Sequence, residues 1–181
     1  MSAARVTGVL LLGAIALPAC LISQEDHIIQ PLPPAKNQPP RILEDLIQPP
    51  GRFVTSRNGL DCPNLLFSAK VADPDIKDLL FYNFYVDADV NPAPVKQSSI
   101  SNPTNEEVRA EPATYEFSFA TVGALQQPGN HVVELLLADG ALVNRQPQPR
   151  LVQQLDGGLE EDPSYAVSYA WTVTILAGPC Q

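Results

Sequence analysis

Tyr165-Ala166-Val167-Ser168-Tyr169-Ala170-Trp171-Thr172-Val173-Thr174-Ile175 is the stretch that decides the fold. Tyr165, Val167, Tyr169, Trp171, Val173 and Ile175 alternate with Ala166, Ser168, Ala170, Thr172 and Thr174. Successive side chains of a strand point to opposite sides, so this spacing turns one face to a core and leaves small or polar groups on the other. Aromatic and β-branched residues fill the apolar positions, which favours a strand over a helix.

The same period of two recurs upstream. Leu65, Phe67, Ala69 and Val71 alternate with Ser68 and Lys70. Tyr82, Phe84 and Val86 mark another strand, and Tyr115, Phe117 and Phe119 a further one. His131 to Ala138 (HVVELLLA) is more continuously apolar, as expected of a central strand covered on both faces. Ile42 to Ile47, Arg52 to Thr55 and Val95 to Ile100 are weaker strand segments. There is no sustained helical period and no internal repeat. The 19 prolines also oppose long helices. About seven short strands between turn residues predict an all-β, two-sheet antiparallel sandwich over residues 41–181.

Val71-Ala72-Asp73-Pro74-Asp75, followed by Leu79-Leu80-Phe81-Tyr82-Asn83-Phe84 and Val86-Asp87, resembles two strands of polycystic-kidney-disease-type and related immunoglobulin-like repeats. Those strands read V-x-D-P-D … L-x-Y-x-W. Pro128-Gly129-Asn130-His131-Val132-Val133-Glu134-Leu135, continuing to Asp139-Gly140, resembles their P-G-x-H/Y-x-V-x-L-x-V-x-D-G strand. The resemblance covers about two-thirds of the chain. Phe84 stands where the family has Trp, and the family's Gly-Asp turn is absent. The resemblance implies an immunoglobulin-like sandwich. In that topology the start of the second strand and the end of the last lie at one end, which implies a Cys62–Cys180 disulfide.

The N-terminus speaks to compartment. Arg5 precedes an apolar stretch from Val6 to Leu17, shorter than the ~20 residues of a membrane-spanning helix and suited to a secretory signal. Two cleavage readings compete. Ala14-Ile15-Ala16 suits ordinary signal peptidase, whereas Leu17-Pro18-Ala19-Cys20 resembles the lipobox of bacterial lipoproteins, with Pro18 an unusual occupant. Under the second reading residues 1–19 are a signal peptide and Cys20 carries the lipid anchor (palmitate among its acyl chains). Of the 3 cysteines, Cys62 and Cys180 then remain as a pair, which suits an oxidising compartment. Leu21 stands where some bacteria use Asp for inner-membrane retention, so the resemblance favours the outer membrane. Residues 20–40 form a tether with Pro31, Pro33, Pro34, Pro39 and Pro40; ~20 extended residues reach ~60 Å.

A net charge of −9 and a pI near 4.5 set the chain against nucleic acid and anionic membrane surfaces. Neither of the 2 histidines has a partner at metal-ligand spacing, and no nucleophile-elbow, zinc-protease or phosphate-loop motif is present. His131 is expected to make ordinary strand-edge hydrogen bonds. The acids gather in three segments: Asp73 to Asp78, Glu106 to Glu111, and Asp156 to Asp162. In an immunoglobulin-type sandwich these connections meet at one end. Three readings stay open for them: solvated loops, a cationic protein or glycan-associated partner, or a calcium site using Asp73, Asp75, Asp87 or Asp89. The last lacks the full helix-loop-helix ligand pattern.

The connection from Gly140 to Ser164 exceeds the ~12–15 residues common in compact domains. It is the expected binding loop, with Arg145, Arg150, Asp156, Glu160, Glu161 and Asp162. The expected function is a non-enzymatic, membrane-tethered envelope module for structure or protein interaction, with no nucleic-acid partner. The alternative is a calcium- or carbohydrate-dependent adhesion module, for which an exposed Tyr165 or Trp171 would be the sign. A hydrolase with an unrecognised acidic pair is a third reading.

Overall fold

The alternating stretch from Ala166 to Leu176 forms the longest strand of the domain, with Tyr169, Trp171, Val173 and Ile175 buried. A computed structural model describes residues 36–153 and 157–180; the expected signal peptide, Cys20, most of the expected tether and Asp156 lie outside the described residues. The strands are β1 (Arg41–Gln48), β2 (Phe53–Arg57), β3 (Leu65–Ala72), β4 (Leu80–Val86), β5 (Lys96–Ile100), β6 (Ala113–Phe117), β7 (Gly129–Ala138), β8 (Leu142–Val143), β9 (Gln146–Pro147), β10 (Arg150–Gln153), β11 (Leu159–Asp162) and β12 (Ala166–Leu176).

Eight of them build two sheets, ordered β1-β3-β6 and β2-β12-β7-β4-β5. This is an all-β sandwich of immunoglobulin-like order, with two differences from the expectation. Eight strands rather than about seven make the sheets, and β2 runs parallel to β12, so the sandwich is not wholly antiparallel. Both differences have one cause. The chain leaves the first sheet at Gln48, passes a cis Gln48–Pro49 bond and Gly51 at φ 78°, and joins the second sheet at Phe53. Prolines donate no backbone hydrogen bond and end β1, and glycine meets the left-handed turn without a Cβ clash.

The inner faces of both sheets meet in one core. Phe67 of β3 and Phe84 of β4 lie 5.3 Å and 6.3 Å from the Trp171 ring, and Tyr115 of β6 packs on Phe84 at 5.6 Å. Trp171 is fully buried and donates its Nε1–H to the Pro49 carbonyl at 3.1 Å. The indole's polar edge is satisfied by the crossover itself. β7 lies between β12 and β4 and is apolar on both faces from Leu135 to Ala138, as its sequence predicts.

The segment from Gly140 to Ser164 is two hairpins rather than an irregular loop. β8 and β9 pair through a turn at Asn144 and Arg145, both left-handed at φ 49° and 68°. That is the two-residue hairpin geometry whose twist matches the strands. β10 and β11 pair from Arg150↔Asp162 to Gln153↔Leu159. Gly140 makes the entry possible, because a Cβ there would stand 2.5 Å from the Gln148 carbonyl oxygen.

Cys62, just before β3, and Cys180, just after β12, form a disulfide with sulfurs 2.07 Å apart. It closes a sequence separation of 118 residues, and closing so long a loop restricts the unfolded chain strongly. Cys62→Ser or Cys180→Ser should therefore lower unfolding free energy by ~2–5 kcal/mol, read from urea melts against wild type under non-reducing conditions.

Candidate functional site

The three acidic segments do converge. Asp73 N donates to the Glu107 carbonyl at 2.9 Å, which joins the β3–β4 turn to the β5–β6 segment. Arg150 pairs with both Asp78 and Asp162, which brings in the β10–β11 hairpin. Arg41 adds a pair with Glu107. The convergence is therefore not a bare cluster of repelling carboxylates, as the sequence suggests. It is threaded by guanidinium groups.

Arg109 is the residue the sequence reading passes over. Its side chain is fully buried beside the equally buried Asp73, with Nη2 3.4 Å from Asp73 Oδ2. The same guanidinium donates to the carbonyls of Ile76, Glu106, Asp75 and Asp78, all at 3.2 Å. Arginine presents five donors in a planar fork, and here that fork gathers the turns on either side of it. Arg109 is the basic residue inside the acidic run Asn105-Glu106-Glu107-Val108-Arg109-Ala110-Glu111. A lone cation framed by acids was the signal available.

The calcium reading needs correction in its geometry. Asp73, Asp75 and Asp78 each offer an oxygen within 4.8 Å of the others, but Asp87 and Asp89 belong to the opposite end. β4 separates the two groups, and its seven residues span ~23 Å at ~3.3 Å each. Asp87 instead pairs with His131 at 2.7 Å, and Asp89 is exposed. Within the remaining trio, Asp73 Oδ1 accepts from Asp75 N at 2.9 Å and Asp75 Oδ2 from Gln38 N at 2.7 Å. Arg109 and Arg150 touch the trio, so two positive charges set against three carboxylates leave little for a divalent ion to neutralise. Burial, reinforced by Asp78 and Asp75, pushes the Asp73 carboxyl up to about 6 against the opposing pull of Asp75 N–H and Arg109.

The binding-loop arginines also turn inward. Arg145 donates to both Glu134 oxygens at 2.7 Å and lies over the Tyr85 ring at 4.4 Å, so the β8–β9 hairpin covers the outer face of β4 and β7. Arg150 is held by Asp78 and Asp162 as above. Glu160 and Glu161 are exposed on β11, and Asp162 is half-buried. A groove of about 400 Å³ beside the knot is lined in part by Asp78, Asp139, Phe81 and Arg150. Its two carboxylates are engaged. Asp139 accepts from Tyr165 N at 2.7 Å and Asn37 Nδ2 at 2.9 Å, and Asp78 holds Arg150. Trp171 is in the core, and Tyr165 is 38% exposed without a second aromatic ring in contact among the described residues. That is not an aromatic platform for sugars.

No family model matches the chain, and no curated protein matches it.

Two outcomes are expected. Millimolar calcium should raise the melting temperature no more than magnesium at matched ionic strength, because Arg109 and Arg150 already counter the trio; a calcium-specific rise that Asp75→Asn removes would overturn this. Asp73 has a folded pKa of about 6 against an ordinary 3.8. Its contribution is fully present below the lower value and is lost as pH rises through the upper one. Melting temperature should accordingly fall between about pH 4 and about pH 6.5, and Asp73→Asn should flatten part of that fall.

Proposed function

We propose that this protein is a bacterial envelope lipoprotein, tethered through Cys20, whose immunoglobulin-like domain serves as a non-enzymatic structural or protein-interaction module. The observation that carries the reading is the cysteine pairing. Three cysteines are present, and Cys62 and Cys180 are joined to each other. Cys20 is left over at the end of the Leu17-Pro18-Ala19-Cys20 lipobox-like motif. A structural disulfide belongs to an oxidising compartment, where acylation gives the remaining thiol a use. The net charge of −9 argues against nucleic acid as the partner. The groove beside the acidic knot supports a structural reading over a catalytic one, because its carboxylates are already bound within the fold. A site for acid–base chemistry needs a titratable group within reach of a substrate proton.

The resemblance to polycystic-kidney-disease-type repeats fits the same reading, since such modules sit outside the cytoplasm. The outer membrane is the proposed site of anchoring, on the identity of Leu21.

The test is direct. Full-length protein made in a bacterial host should incorporate labelled palmitate and partition into the detergent phase, and Cys20→Ala should lose both while still forming the Cys62–Cys180 disulfide. Label persisting in the alanine variant would refute the anchor.

A further inference from the structure

His131 opens β7 and is buried, at the end of the sandwich away from the acidic knot. Its Nδ1 lies 2.7 Å from Asp87 Oδ2, in the 87–95 connection between β4 and β5. Its Nε2 lies 2.9 Å from the Gln127 carbonyl oxygen, in the connection between β6 and β7. An ionised carboxylate and a backbone carbonyl are both acceptors only. A neutral imidazole carries one N–H and one lone pair. In either tautomer it satisfies one of these partners and turns a lone pair toward the other. Only the imidazolium donates to both.

We propose that protonated His131 is a pin that ties the 87–95 connection to the 118–128 connection, and that this end of the domain loosens when the proton leaves. Asp87 is the hub of its side. At φ 51° it donates its N–H to the Val132 carbonyl at 2.9 Å, and its Oδ1 accepts from Val132 N at 2.8 Å. Its carbonyl accepts from Val90 N and Asn91 N at 2.9 and 2.8 Å. On the other side Gln127 N closes the turn onto the Ala124 carbonyl, and Asn58 Nδ2 holds the Gln126 carbonyl. Each connection is internally braced, and His131 joins the two.

The charged groups around the ring favour the proton. Across β7, Val173 of β12 stands opposite His131 and is uncharged. The neighbouring Asn130 and Thr174 are neutral and bond each other at 2.9 Å, and residues 118–128 carry no charge. Asp87 is the charged group that acts on the ring, and Asp89 beyond it is a further acid. Burial pulls the imidazolium down, while the bonds to Asp87 and Gln127 and the Asp87 charge outweigh it, so His131 stands above the ordinary 6.5. A raised histidine contributes stability that is fully present below its unfolded value and lost as pH rises through its folded one. The pin is set on the acid side and released on the alkaline side.

The test uses full-length protein, with ¹⁵N shifts of the His131 ring and amide hydrogen exchange followed from pH 5 to 9. Both ring nitrogens should be protonated at pH 6.5, with a midpoint above that value. Exchange at Val90, Asn91 and Gln127, corrected for its intrinsic pH dependence, should rise several-fold across the midpoint, while β3 and the middle of β12 stay unchanged. His131→Gln should abolish the step in exchange while keeping the disulfide and the β-sheet circular dichroism. Asp87→Asn should lower the midpoint toward 6.5 or below. A single-proton tautomer already present at pH 6 would overturn the pin. So would an equal step in His131→Gln, or exchange at these amides that is flat with pH in the wild type.

Discussion

Trp171 stands where the two sheets meet, and the domain is organised around the need to bury it. Its ring takes Phe67 from one sheet and Phe84 and Tyr169 from its own, and its single polar atom reaches the Pro49 carbonyl. That carbonyl belongs to the crossover between β1 and β2. The indole therefore packs the layers together and satisfies the segment that changes layers. The Pro49 carbonyl is only partly buried, whereas the buried indole N–H needs an acceptor, so the chain's path from one sheet to the other and the identity of residue 171 are linked. A phenylalanine there would fill much of the space and leave Pro49 without its donor.

The two ends of the sandwich handle charge in different ways. At the end where β3 turns into β4, Arg109 is enclosed by four carbonyls and Asp73. An enclosed guanidinium is costly unless most of its hydrogen bonds are made and an opposite charge is close by; here both Nη groups are bonded and Nε is not. Removing either member of such a pair leaves the other stranded, so the knot holds the surrounding turns in one arrangement. Arg150 extends this to the β10–β11 hairpin through Asp78 and Asp162. At the other end the disulfide supplies a covalent tie and His131 a titratable one. One end is held by a buried guanidinium among carbonyls, and the other by a covalent bridge beside a titratable imidazole.

Much of the fold was legible in the sequence because a half-buried strand writes its burial into every second residue. The β3, β4, β7 and β12 segments show this directly. The direction of β2 was not legible: parallel and antiparallel neighbours leave the same local pattern, and only the short crossover at Pro49-Pro50-Gly51 makes β2 parallel to β12. The hairpins after Gly140 were hidden for a different reason. Their strands are two to four residues long, and Asn144-Arg145 lacks the glycine that commonly marks such a turn; Arg145 is held there by Glu134 and Tyr85 instead. At the candidate site, topology is enough to bring the Asp73–Asp78 and Glu106–Glu111 segments together with Asp162. The grouping of Asp73 and Asp75 with Asp87 and Asp89 does not hold, because a whole strand intervenes. Arg109 was missed because a charged residue in a polar run looks solvated, and its burial comes from turns distant in sequence.

The described chain begins at the acidic end. Asn37 Nδ2 binds Asp139 and the Pro163 carbonyl, and Gln38 N binds Asp75. Cys180 closes the chain at the other end, where Gly178 N also meets Asn58 Oδ1 at 3.0 Å. Asn37 and Gln38 therefore belong to the acidic end of the domain. The end opposite the acidic knot is built from the 58–64, 87–95 and 118–128 connections. It presents Leu60, Val90 and Val122, each more than three-quarters exposed, and carries few of the chain's 20 acids. Two of those three connections are the ones His131 joins. In the proposed pin, the firmness of this end follows the protonation of His131 beside Asp87.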